Sequence, residues 1–175
     1  MWKKISSKRL FTHPRITLIE DVVELPDGTK TQYLRFEKNG SAAGIICVRD
    51  DGKILLQKEY SYPSNQILFQ FPGGLVSNEE EIKTGANREL MEESGLKANK
   101  LQLLGKYLTD NRRSSFMMYV YIGTELEEKS LVADKEEGIE NIWVTEDEID
   151  KLIKEEKIIN CNVLASWSLY KASKL

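Results

Sequence analysis

The segment from Gly74 to Leu96, GLVSNEEEIKTGANRELMEESGL, constrains the chain more than any other stretch. Residues 81–94 lack proline and carry helix formers, and Gly95 follows where a helix C-cap belongs. The sequence therefore predicts a helix there. Glu89, Glu92 and Glu93 fall at i, i+3 and i+4, on one face of that helix. Like charges so placed repel, each pair costing roughly 0.2–0.5 kcal/mol. Either they lie on an exposed acidic face, or a cation offsets them. Oxygen ligands of this kind suit Mg²⁺, with Mn²⁺ the alternative. Glu80 and Arg88 bracket the same helix and are spaced to pair across the loop-to-helix junction. Upstream, Pro72-Gly73-Gly74 lets the backbone approach a ligand closely.

The flanking pattern mixes strands and helices. Residues 16–36 read as a hairpin around Pro26-Asp27-Gly28, and residues 43–57 as a second one around Asp50-Asp51-Gly52. A short strand over 67–71 stops at Pro72. Further strands are expected over 101–109, 115–123 and 139–144. Thr145 followed by Glu148 is a capping-box pattern for a helix over 146–156, and a last helix is expected from about 161 to 172. Ile149, Leu152 and Ile153 form the core-facing stripe of the 146–156 helix. No regular βαβ alternation appears, so the fold class is α+β, or a mixed sheet between helices.

Composition narrows the function classes. With 175 residues, the chain is read as one compact unit without repeats or low-complexity linkers. The net charge of -3 argues against a general nucleic-acid binder. Residues 124–160 hold 13 acidic and 5 basic side chains, which read either as a solvated surface or as a stretch from which one or two carboxylates reach a site. No apolar run approaches bilayer length and no secretory signal is visible, so neither a membrane nor export is expected. Cys47 and Cys161 have no metal-ligand spacing and are expected to be buried thiols in reducing cytoplasm.

The complete spacing decides between acidic surface and site. Gly74, Glu80, Arg88, Glu89, Leu90, Glu92, Glu93, Gly95 and Leu96 match the Nudix box without a gap. The chain thus resembles the Nudix hydrolases, which use divalent metal to hydrolyse a nucleoside diphosphate linked to another group. The resemblance implies a mixed β-sheet sandwiched between helices, with the box as loop–helix–loop. It implies Glu89, Glu92 and Glu93 as metal ligands, with the Gly73 carbonyl as a further one and Glu93 in the catalytic set. Gly74, Glu80, Arg88 and Gly95 would shape the box.

The flanks are most similar to the ADP-ribose pyrophosphatase and nucleotide-sugar hydrolase branch. That similarity implies an N-terminal β-hairpin extension over residues 1–40 that helps form a homodimer, followed by the hydrolase domain over 41–175. Two departures argue against strict ADP-ribose specificity. The branch's Gln-Tyr-Arg-like strand end reads Lys58-Glu59-Tyr60-Ser61, and its Glu before the box is Gln70. In that branch a loop glutamate can act as general base. Glu137 is favoured here, Glu136 stands close behind, and a box glutamate is the third choice. Arg112 or Arg113 is placed to hold a phosphate, or to lie in an ordinary exposed loop. Tyr60, Tyr62 and Phe36 are candidates to border a base or sugar, or to pack at a core or interface. His13, the single histidine, lies outside the box. Trp143 and Trp167 read as core or dimer packing.

The expected reaction is hydrolysis of ADP-ribose or another nucleoside diphosphate sugar to a nucleoside monophosphate and a sugar phosphate. The alternatives are NADH, FAD or a dinucleoside polyphosphate as substrate, or a nucleotide sensor without turnover.

Overall fold

The computed structural model of the protein describes residues 1–131 and 138–174. Strands β1 (Lys3–His13), β2 (Ile16–Glu24) and β3 (Lys30–Glu37) form an antiparallel three-stranded sheet. The 16–36 hairpin is its second half. β1 has no counterpart in the sequence reading, and every one of its residues is exposed. It has no inward face to print an alternating pattern, and its pairing slips between Lys4 and Ser6 and again between Arg9 and Phe11.

β4 (Ser41–Cys47) and β5 (Ile54–Ser61) correct the second hairpin. They are joined by a short turn but belong to different sheets, touching through the single bridge Val48–Ile54. β5 pairs antiparallel with β6 (Gln66–Gln70) and β10 (Glu140–Val144). β4 lies inside a four-stranded sheet of order β7-β4-β9-β8, with β7 (Gly73–Val76), β8 (Leu96–Leu108) and β9 (Met117–Glu128). β4 runs parallel to β9 and antiparallel to β7, so this sheet is mixed.

Both faces of β4 and β5 are covered, which explains their continuous apolar runs. Ala43, Ile45, Cys47 and Leu55 join the core beneath helix α1 (Ile82–Ser94), with Ala86 and Leu90 from the helix. Ile46, Ile54 and Leu56 face the other way, toward Ile149 of α2 (Glu146–Lys154) and Val163, Trp167 and Tyr170 of α3 (Cys161–Ala172). Each fully buried aliphatic side chain stabilises the fold by roughly 1.5–3 kcal/mol. The α+β sandwich between helices is therefore present as the sequence predicted.

The local signals act as expected. Thr145 and Glu148 close a capping box, the Thr145 amide donating to Glu148 at 2.7 Å and the Glu148 amide to Thr145 Oγ1 at 3.2 Å. α3 is tied to α2 by Trp167 Nε1 donating to Asp150 at 2.7 Å and the Tyr170 hydroxyl donating to Glu146 at 3.0 Å. Cys47 is buried, and burial pushes its thiol far above the ordinary value. Cys161 is exposed at the first position of α3, contrary to the buried thiol expected of it. Among the described residues no helix is long and apolar enough to cross a membrane.

Candidate active site

The site begins where β7 leaves Pro72. The Pro72 carbonyl accepts from the Ile45 amide at 2.8 Å, and Gly73 pairs with Gly44 on β4. Gly73 has φ 151°, and a Cβ there would lie 2.2 Å from the Ala43 carbonyl oxygen. At Gly74 a Cβ would lie 2.5 Å from the Glu89 carboxylate. Two successive residues without side chains thus let the box helix carry a carboxylate onto the strand backbone.

α1 starts at Glu81, whose side chain caps Thr84 N at 2.8 Å, and stops at Gly95 in the left-handed region at φ 71°. The helix sets Glu89 against Gly74 and Glu93 against Gly73 of β7, while Glu92 lies one turn along from Arg88. Glu93 accepts from the Gly73 amide at 2.9 Å. Arg88 holds the other carboxylates. It contacts Glu80 through Nε and Nη2, both at 3.1 Å, and Nη1 lies 2.8 Å from both Glu89 and Glu92. Nη2 also donates to the Leu75 carbonyl at 3.0 Å. One guanidinium therefore ties the loop, the strand and the helix. These contacts, the Glu80 hydrogen bonds first, raise its pKa well above the usual arginine range and keep it charged.

The donor set of three carboxylates beside a glycine cradle matches a hard divalent cation. Among the described residues no three of His, Cys, Asp and Glu already stand close enough to ligate one. A cation held by this face would draw Glu89 and Glu92 from their Arg88 contacts.

Two residues that the sequence did not mark support this turn from behind. Buried Gln57 donates to Asn141 Oδ1 at 3.2 Å, and Asn141 Nδ2 donates to the Glu93 carbonyl at 3.2 Å. The available signal was a polar residue closing the apolar run Ile54-Leu55-Leu56. Gln70, one of the departures from the branch pattern, donates to Glu59 at 2.8 Å, while Ser61 pairs with Gln66 at the far end of the β5–β6 ladder.

The remaining candidates are scattered. Arg112 and Arg113 occupy the β8–β9 loop, which docks on the protein's own N-terminal sheet. The Tyr33 hydroxyl donates to the Arg112 carbonyl, Arg113 Nη1 donates to the Leu34 carbonyl at 3.2 Å, and the Phe36 amide donates to the Arg113 carbonyl at 2.8 Å. Phe36 and both arginines border a cleft of about 370 Å³. None of the three is among the residues around Gly73 and Gly74. Tyr60 is half exposed, its hydroxyl bonded to Asn65 at 2.9 Å, and Tyr62 is exposed, so neither packs in the core. Trp167 is buried, and Trp143 packs on the core beneath α1. Glu136 and Glu137 lie outside the described residues.

Comparison with known proteins places this geometry. The model of the NUDIX domain matches residues 38–164. An ADP-ribose pyrophosphatase of Bacillus subtilis (strain 168) is 29% identical over 158 residues, 89% of this chain and 85% of that protein. A methanol dehydrogenase activator of Bacillus methanolicus is 27% identical over the same shares. The crystal structure of an ADP compounds hydrolase superposes with a TM-score of 0.90 at 23% identity, covering 98% of this chain and 92% of that one, a likeness of fold. The box, the Arg88 clamp and the matched span together establish that the chain belongs to the NUDIX family.

Proposed function

We propose that this Nudix pyrophosphohydrolase cleaves the diphosphate of ADP-ribose or a related nucleoside diphosphate sugar. A water oxygen joins one phosphorus, the bridging P–O bond breaks, and a nucleoside monophosphate and a sugar phosphate leave. The observation that carries this reading is the carboxylate face Glu89, Glu92 and Glu93 set against Gly73 and Gly74. Similarity to an ADP-ribose pyrophosphatase over 89% of the chain supports the substrate class.

Glu89, Glu92 and Glu93, with the Gly73 carbonyl, are the groups to hold Mg²⁺ or Mn²⁺. When bound, such a cation neutralises diphosphate oxygens and makes an attacking water more acidic. Arg88 fixes the rotation of the helix face, and the Gly73 amide orients Glu93. The water proton passes to a carboxylate, Glu93 or one of Glu136 and Glu137. The enzyme is assigned to the cytoplasm.

Residues 1–40 act in this reading as the extension through which a second copy docks. Ile5, Leu10 and Phe11 are exposed on β1, an edge strand. Ile5→Glu with Phe11→Glu should shift the protein from dimer to monomer in light scattering. A double variant that elutes with the mass of the wild type would contradict that role.

A substrate panel read by mass spectrometry tests the function. It holds ADP-ribose, ADP-glucose, GDP-mannose, UDP-glucose, NADH, FAD and diadenosine tetraphosphate, each with Mg²⁺. Preferential cleavage of a diphosphate sugar is expected. Preference for NADH, FAD or the tetraphosphate, or binding without turnover, would overturn it.

A further inference from the structure

Helix α1 lies on one face of the four-stranded sheet and touches β4, β7 and β8. The order β7-β4-β9-β8 makes β7 and β8 the two edges of that sheet. On the β7 edge, the Gly73 amide donates to Glu93 at 2.9 Å and Gly74 lies against the Glu89 carboxylate. On the β8 edge the partner is Asn87. Its Nδ2 donates to the Ala98 carbonyl at 2.9 Å, and the Ala98 amide donates to its Oδ1 at 3.0 Å. Ala98 is buried. An edge strand leaves backbone groups unpaired, and here one carboxamide satisfies both groups of one residue, as a neighbouring strand would.

Asparagine is a poor helix former, because its side chain competes for backbone hydrogen bonds. Its place inside α1 follows from the geometry. At 3.6 residues per turn, Asn87 and Glu89 point about 160° apart, to opposite flanks of the helix. Ala86 and Leu90 pack on the core from the line between those flanks. Apolar burial is non-directional, and two of the three buried residues of α1 are Gly85 and Ala86, so burial alone resists rolling of the helix weakly. Hydrogen bonds are directional. Arg88 reaches β7 through the Leu75 carbonyl, so its hold lies toward the same edge as that of Glu93. A helix held at one edge can roll about it. Asn87 supplies the tether at the other edge.

We propose that Asn87 is a positioning residue: its paired hydrogen bonds to the β8 edge fix the roll of α1, and so set where Glu89 and Glu93 meet the Gly73–Gly74 step. The effect on turnover rests on the metal-dependent hydrolase reading. The effect on the Glu93–Gly73 contact does not.

The test uses the intact protein, with Asn87→Ala, Asn87→Gln and, as a control, Ile149→Val on the α2 side of the sheet. Alanine is the better helix former, so Asn87→Ala removes the tether without weakening the helix itself. Mn²⁺ binding without substrate is followed by electron paramagnetic resonance, KM and kcat are measured with ADP-ribose, and amide exchange is read by NMR. Asn87→Ala should weaken Mn²⁺ binding and lower kcat by about tenfold each, with KM nearly unchanged. Its Gly73 amide, on the far edge of the sheet, should exchange about tenfold faster relative to the amides of β9. Asn87→Gln, with the same carboxamide on a longer arm, should recover part of each loss. Ile149→Val should lower the melting temperature and leave the Mn²⁺ affinity and the relative Gly73 exchange as in wild type. A clamp that only stabilises β8 would free the Ala98 amide alone. Asn87→Ala with wild-type exchange at Gly73, or with unaltered kcat and Mn²⁺ affinity, would therefore overturn the assignment. Should the wild type neither bind Mn²⁺ nor cleave ADP-ribose, the hydrolase reading fails and Gly73 exchange still decides this one. Acceleration in Asn87→Ala supports it, and an unaltered rate sinks it. Should Asn87→Ala fail to fold, Asn87→Ser carries the same readings.

Discussion

The two helices that flank the mixed sheet differ in what they bury. α1 fully buries only Gly85, Ala86 and Leu90, with Ile82 packed beside them, and carries Arg88, Glu89, Glu92 and Glu93 half-buried. α3 sinks Val163, Ser166, Trp167 and Tyr170. One helix therefore spends its contact face on charge, held close by small residues, and the other on apolar volume. In the proposed reading, the chemistry lies on the α1 face, whose buried core is aliphatic apart from Cys47 and Tyr121, and the bulk of the buried aromatic packing lies on the α3 face. Changes on the α1 face should then alter rate more than folding, and changes on the α3 face the reverse.

The sharpest break of that contrast is Glu93→Gln. It removes one ligand charge while keeping the shape, and should lower kcat by about a thousandfold, as general losses of electrostatic stabilisation do. A melting temperature near that of wild type should accompany it. Near-normal turnover at saturating Mg²⁺ would remove Glu93 from the site. Next, Trp167→Ala should destabilise the protein by about 3 kcal/mol or more in denaturant titration, because it empties buried volume and removes the indole hydrogen bond to Asp150. The folded fraction should keep a kcat within a few fold of normal, and a rate collapse in fully folded protein would merge the two faces. Arg88→Gln falls between them. It unties Glu80, Glu89 and Glu92 together, and should cost about 10–100-fold in activity or metal affinity, measurable by Mn²⁺ titration.

The smallest effect concerns pH on the α3 face. The Trp167 N–H, then Lys171, hold Asp150 below the ordinary aspartate range, and a Lys174 hydrogen bond, then Tyr170, lowers Glu146. Groups with depressed folded pKa values contribute stability that is present above the unfolded carboxylate range. That contribution is lost as pH falls through the folded values. Asp150→Asn should flatten the acid limb of a melting-temperature profile slightly below pH 4 and leave neutral behaviour little changed. An unaltered acid limb would show that this carboxylate does not couple α2 to α3.

How legible these regions were follows from their physics. The box was readable because nine positions over 23 residues match the Nudix pattern, and the structure gives several of them a local reason: close backbone approach at Gly74, carboxylates one turn apart, a left-handed cap at Gly95. The capping box at Thr145 and the stripe through Ile149 were readable for the same local reason. β1 was not, because a strand exposed on both faces has no periodic signal. β4 and β5 were misjoined because the Asp50-Asp51-Gly52 turn specifies a reversal but not which strands pair after it. Gln57 and Asn141 come together only through long-range topology, as Asn141 lies 84 positions from Gln57. No local pattern marks such residues.

The most direct test of the account follows phosphorus. ADP-ribose is incubated with wild type and Glu93→Gln in Mg²⁺, and with wild type in excess chelator, while ³¹P NMR records the products. The account predicts loss of the diphosphate signals and growth of two monophosphate resonances, AMP and ribose phosphate, only in wild type with metal. Equal conversion by Glu93→Gln, or conversion that persists in chelator, would contradict a metal-dependent site on the Glu89, Glu92 and Glu93 face.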